Sequence, residues 1–192
     1  MAIPATAGYT VDDLDWLRDE LGIAHVELDP WGSIIVTPAT DEHEIVLAML
    51  HEQAVRQLDL PPGSVWSNGF AWKVPEGSGY TNVPDLVALA PGWTRVAGNH
   101  VSPPPLLVVE VASPSTRAVD RGRKLSDYRT GGAGCYLLAD VPAVTRGGEV
   151  SFELHDFEAG AVTTTDGSVD LVLRGRAVRF DLTSFHGRIL GR

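Results

Sequence analysis

The sequence predicts a single α/β domain in which helices flank a central mixed sheet, and three observations carry that expectation. Leu106–Val111 is an apolar run of strand length interrupted by a single charge, Glu110, the pattern of a strand covered on both faces. Cys135–Asp140 is another short, largely apolar run of the same kind. Between and around these runs lie segments with helical spacing and capping residues, above all 40–58 and 117–129. At 192 residues and 44% hydrophobic the chain suits one domain, able to bury roughly 70% of its extended-chain surface.

In chain order, 10–21 begins with a capping Thr10, carries Leu14, Leu17 and Leu21, and stops at Gly22, which predicts a short amphipathic helix. Segments 24–28 and 33–37 flank Asp29-Pro30-Trp31-Gly32 and predict a hairpin. From 40 to 58, apolar Ile45, Val46, Met49, Leu50, Ala54 and Leu58 recur at helical spacing behind a Thr40 or Asp41 cap, and Pro61-Pro62-Gly63 stops the helix. Val65–Trp72 reads as a strand, and so does 82–89, entered through Pro84 with Asp85 near its start. The stretch 91–105, rich in Gly, Pro, Asn and Ser, reads as a long loop, the most mobile region expected. After the strand Leu106–Val111, Ser115 or Thr116 caps a helix to Arg129 closed by Gly131-Gly132. Beyond the strand at 135–140, 149–157 and 161–165 predict a hairpin, and 177–182 a strand before a short terminal helix.

Composition narrows the function. No run of about 18 apolar residues and no signal-like N-terminus occurs, so the expected compartment is the cytoplasm, with no membrane partner. The single Cys135 forbids an intrachain disulfide and a thiolate metal cluster. The histidines at 25, 51, 100, 155 and 186 lack zinc-type spacing, and the glycines at 131, 132 and 134 follow a helix instead of opening one, which argues against a phosphate-binding loop. The net charge of −10 resides in residues 1–60, with twelve acidic side chains against Arg18 and Arg56. That acidity has no reading beyond solubility or a partner surface. Around 117–129, Arg117, Arg121, Arg123, Lys124 and Arg129 outnumber Asp120 and Asp127, a patch that is either a solvated helix face or a phosphate contact.

Glu110 is the anomaly of its apolar strand, since a buried charge is costly unless it is paired or binds a metal. Asp85 and Glu110 fall near the ends of two strands expected to be neighbours, where matching faces let carboxylates converge on one ion. Hard oxygen donors select Mg²⁺ or Mn²⁺, and a nearby lysine suits phosphodiester hydrolysis. Lys124 is one of only two lysines, the other being Lys73. Its bland alternative is an (i, i+4) ion pair with Asp120.

The order Pro84-Asp85, then Glu110, resembles the PD-(D/E)xK nucleases, but Ala112 stands where that motif has its lysine. The longer pattern is more specific: Val83-Pro84-Asp85-Leu86-Val87, then Leu107 through Thr116, then Asp120, Lys124, Tyr128 and Gly131. It closely resembles the Uma-two family, a bacterial branch of that superfamily in which the lysine lies on the helix after the glutamate strand. The likeness extends from about residue 12 to 190, including Gly32–Val36 and His43. It implies a restriction-endonuclease-like core and Mg²⁺-dependent (or Mn²⁺-dependent) cleavage of DNA. Asp85 and Glu110 would hold the metal, with Lys124 as the third catalytic residue. Asp120 would orient Lys124, while His43 either approaches the site or is a structural histidine, and Tyr128 either meets phosphate or packs on the sheet. A homodimer is expected by analogy. The rival reading is a catalytically inactive module of the same fold that binds nucleic acid or a protein; another is a nuclease for RNA or structured DNA.

Overall fold

The computed structural model describes residues 9, 10, 13, 26–36, 40–68, 70–72, 79–96, 100–141 and 150–185. The elements run β1 (Val26–Leu28), β2 (Ile34–Val36), α1 (Asp41–Gln57), β3 (Val65–Ser67), β4 (Leu86–Ala88), β5 (Thr94–Val96), β6 (His100–Ser102) and β7 (Leu107–Ala112). Next come α2 (Arg117–Val119), a π-helical turn (Asp120–Lys124), α3 (Leu125–Thr130), β8 (Cys135–Asp140), β9 (Ser151–Asp156), β10 (Ala161–Asp166), β11 (Ser168–Leu173) and β12 (Arg176–Asp181). Six strands form the central sheet in the order β10-β9-β8-β7-β4-β3, with β7 and β8 parallel and every other neighbour antiparallel. This is the α/β, mixed-sheet class the sequence predicts.

Strand alternation divides the core into two layers. Leu107, Val109 and Val111 of β7 face Val46 and Leu50 of α1 together with Phe180 of β12. Val108 and Ala112 face Tyr128, Tyr136, Phe70 and Trp72. Glu110 shares the parity of Val108 and Ala112, so the period of two directs it toward the face covered by the 117–130 helical run.

Helix α1 starts where expected because the Thr40 hydroxyl accepts the His43 amide, and Asp41, Glu42 and Glu44 in the first turn suit the helix dipole. Two of its glutamines hold β12. Gln53 pairs with the Asp181 backbone at 2.8 and 2.7 Å, and Gln57 with that of Arg179 at 2.7 and 2.9 Å. Gly134 is required by close approach: a Cβ there would lie 2.7 Å from the Leu106 carbonyl oxygen.

Several expectations change. The stretch 91–105 contains the β5–β6 hairpin, with Thr94 opposite Ser102, because Val101 turns inward to the Phe70–Tyr136 layer and Trp93 packs against it. The strand expected over Val65–Trp72 pairs only at Val65–Ser67, with Trp72 bridging Asn82 separately. A further strand, β11, precedes the one expected at 177–182 and pairs along its whole length with β12. The helix expected at 10–21 and the one after 182 lie largely outside the described residues. Among the described residues no helix is long and apolar enough to cross a membrane.

Candidate active site

Two neighbouring strands bring the first carboxylates together. Leu86 pairs with Val109, so continuing the antiparallel register by one residue sets Asp85 opposite Glu110, just past the end of the β4–β7 ladder. Asp85 is fixed from both sides: one carboxylate oxygen, Oδ2, accepts the Val111 amide at 2.7 Å and lies 3.2 Å from His43 Nε2, which α1 carries in from its first turn.

The helical run supplies the rest. Thr116 stands at its N-cap position but makes no capping bond to the helix; its hydroxyl instead accepts the Ser113 amide at 3.0 Å. An α-helix turns about 100° per residue, so side chains four apart drift by roughly 40° each step. The π-turn at Asp120–Lys124 widens one turn by a residue and opposes that drift. Asp120, Lys124 and Tyr128 are accordingly all buried. Lys124 and Tyr128 both donate to Glu110 Oε1, at 3.1 and 2.5 Å, and Lys124 Nζ lies 3.7 Å from Asp120 Oδ1.

A residue that sequence reasoning missed completes the group. Glu27 of β1 places Oε1 2.9 Å from Lys124 Nζ, and the same oxygen accepts the Val83 amide at 3.0 Å, just ahead of Pro84-Asp85. The available signal resembled that of Glu110, a carboxylate between apolar Val26 and Leu28, but the run was short. Behind Lys124 lies a second polar layer. Asp127 accepts from Tyr80 Oη at 2.8 Å, Asn82 Nδ2 at 3.0 Å and Arg123 Nη1 at 3.1 Å. Two further arginines of the run are also committed to carboxylates within the fold, Arg117 and Arg121 to Asp140 and Arg121 to Glu153 at 2.9 Å, while Arg129 lies over the Phe157 ring.

The cluster holds more negative than positive charge, and the proton affinities follow. Burial pushes Glu110 well above the usual carboxylate range, Lys124 opposes this, and Asp85, Asp120 and Glu27 reinforce it. Burial also raises Asp120, again against Lys124. Lys124 itself is driven well above the ordinary lysine value: burial disfavours the ammonium, but Glu110, Glu27, Asp120 and Asp85 together prevail. Asp85 is the exception; burial works against its charge, yet the His43 and Val111 hydrogen bonds with the His43 and Lys124 charges leave it lowered. His43 is correspondingly raised, since the Asp85 carboxylate outweighs the cost of burying the imidazolium.

The donor set fits a hard divalent cation. Glu27, Asp85, Glu110 and Asp120 present only oxygen, Lys124 is the one ammonium among them, and Asp120 Oδ1 is buried without a hydrogen-bond partner. Among the described residues no three His, Cys, Asp or Glu side chains already surround a common centre. A Mg²⁺ site needs only one or two carboxylates, with water and phosphate completing the shell.

All six side chains singled out in the sequence, Asp85, Glu110, Lys124, Asp120, Tyr128 and His43, therefore meet in one place. Comparison with known proteins agrees with this architecture. No curated protein matches the chain. A crystal structure of "a putative nuclease belonging to DUF820 from Anabaena variabilis ATCC 29413" superposes with a TM-score of 0.63 at 12% identity, over 93% of this chain and 97% of that one. At that identity the likeness speaks for the shared fold. The family described as "Putative restriction endonuclease", Uma2, matches residues 13–151, well over half of the sequence, and the chain belongs to that family.

Proposed function

We propose that this protein is a Mg²⁺-dependent (or Mn²⁺-dependent) endonuclease that hydrolyses phosphodiester bonds in DNA. The observation that carries the reading is the buried group of Glu27, Asp85, Glu110 and Asp120 around Lys124, an excess of oxygen donors and negative charge in a family of nuclease type. Asp85 and Glu110 would hold the metal. A divalent cation bound there supplies Lewis-acid activation of the phosphate and of a water. Lys124, kept protonated by its carboxylates, would position the attacking water or donate to a phosphate oxygen on which negative charge develops. Glu27 and Asp120 hold the ammonium in place, Tyr128 fixes the orientation of Glu110, and His43 that of Asp85. Two copies acting as a homodimer would offer one site to each strand.

Cleavage assays with Mg²⁺ on duplex, single-stranded and branched DNA and on RNA test this reading, with Asp85→Ala and Glu110→Ala as controls. The expected result is metal-dependent cleavage of DNA that both substitutions abolish. Absence of divalent-ion binding by calorimetry, or cleavage that survives both substitutions, refutes it.

A further inference from the structure

Trp31 is 81% exposed, the largest share among the exposed large apolar side chains of the described residues. An indole held in water is unfavourable, and this one sits on a built turn. Asp29 Oδ1 accepts the Trp31 and Ser33 amides at 2.9 and 2.8 Å, while the Asp29 backbone exchanges bonds with Gly32 and Ser33 at 3.0 Å each. Gly32 takes φ 78°, a conformation that suits glycine. The turn is the tip of the hairpin that delivers Glu27 to Lys124, and the bridge from Leu28 to Thr81 fixes its base. Four residues span at most roughly 14 Å, about four phosphate spacings along a duplex strand, so Trp31 stands within a few nucleotides of the catalytic group.

Charge indicates what the indole meets. Capture of any nucleic acid through its phosphates, paired or unpaired, depends on cations that neutralise them, and here the net charge is −10 while Arg117, Arg121 and Arg123 are bound to internal carboxylates, so phosphate contact contributes little to either kind of DNA. An uncharged aromatic face adds affinity by another route, stacking on a nucleobase. In paired duplex the base faces are covered, so only an unpaired base is open to it.

We infer that Trp31 is a nucleobase-stacking residue and that the preferred substrate is DNA with unpaired nucleotides beside the scissile phosphate. This rests on the nuclease reading and adds a substrate class to it. The test is fluorescence anisotropy of the full-length protein with labelled single-stranded, bulged and fully paired oligonucleotides, with Ca²⁺ replacing Mg²⁺ to hold back cleavage. Trp31→Ala is expected to weaken binding to the single-stranded and bulged DNA roughly 5- to 150-fold, the loss of one stacked base. Fully paired DNA should change less than about twofold on the same ground, and Trp31→Phe should recover most of the loss. Equal loss on all three substrates, or none, overturns the inference. So does a change in oligomeric state with unaltered DNA affinity, which would make the indole a contact between chains. If the wild-type protein binds and cleaves DNA but Trp31→Ala has no effect, only this inference fails; if the wild type does neither, the nuclease reading fails with it.

Discussion

Lys124 and Glu110 form one ion pair at 3.1 Å, yet substituting them should change stability in opposite directions. Lys124 is shared by Glu27, Glu110 and Asp120 at 2.9, 3.1 and 3.7 Å, so Lys124→Met leaves three buried carboxylates facing each other, with Arg123 at 4.0 Å from Glu27 as the remaining cation contact. Removing one partner of a buried charge pair typically costs about 3–5 kcal/mol, and at this chain length each kcal/mol moves the melting temperature by about 2–4 °C, so a fall on the order of 10 °C is expected. Glu110→Gln keeps shape and an oxygen for the Tyr128 and Lys124 donors while removing one charge from a group that has too many. The sign follows from linkage. Because the folded protein raises the Glu110 pKa, the protonated carboxyl stabilises the fold fully below the unfolded value near 4.5 and loses that contribution as pH rises through the folded one. Glu110→Gln does not titrate, so its stability relative to wild type should climb with pH above about 4.5. Urea denaturation in EDTA at pH 5 and pH 8 measures both effects. If Glu110→Gln costs as much as Lys124→Met, and costs more at pH 8 than at pH 5, Glu110 is an ordinary ion-pair partner and the excess of negative charge is refuted.

Three further outcomes follow from the same geometry. His43→Ala should cost more stability at pH 6 than at pH 9, because the raised histidine pKa contributes stability present below about 6.5 and lost above the folded value; denaturation at the two pH values checks this. Asp127→Ala removes the acceptor for Tyr80, Asn82 and Arg123 together and should cost about 3–5 kcal/mol, with activity lost even where the variant is folded at low temperature. Gly134→Ala forces a methyl against the Leu106 carbonyl oxygen and should cost roughly 1–3 kcal/mol by thermal melting.

The main strands were legible because their apolar runs are local. β7 and β8 are continuous enough that burial on both faces follows from composition, and α1 announces itself by period and by its Thr40 cap. A polar residue that must be buried is visible against such a background, as Glu110 is inside Leu107–Ala112. Lys124 was found by scarcity, and its link to Asp120 by a spacing of four. The β5–β6 hairpin was not legible, since its three-residue strands lie among turn formers that outweigh them in any window.

Sequence alone thus determined the α/β class and which carboxylates and which lysine stood out from their surroundings. Tertiary structure decided what surrounds them. Glu27 is one of twelve acidic residues in the first sixty, and its short apolar flank, Val26 and Leu28, is too little to separate it from the solvated ones until its hairpin closes over Lys124. Arg117, Arg121 and Arg123 of the 117–130 run looked available for phosphate until Asp140, Glu153 and Asp127 proved to hold them. The reason is the same in each case: a side chain's burial and partners are properties of its neighbours in space, and those neighbours lie up to 97 positions away along the chain.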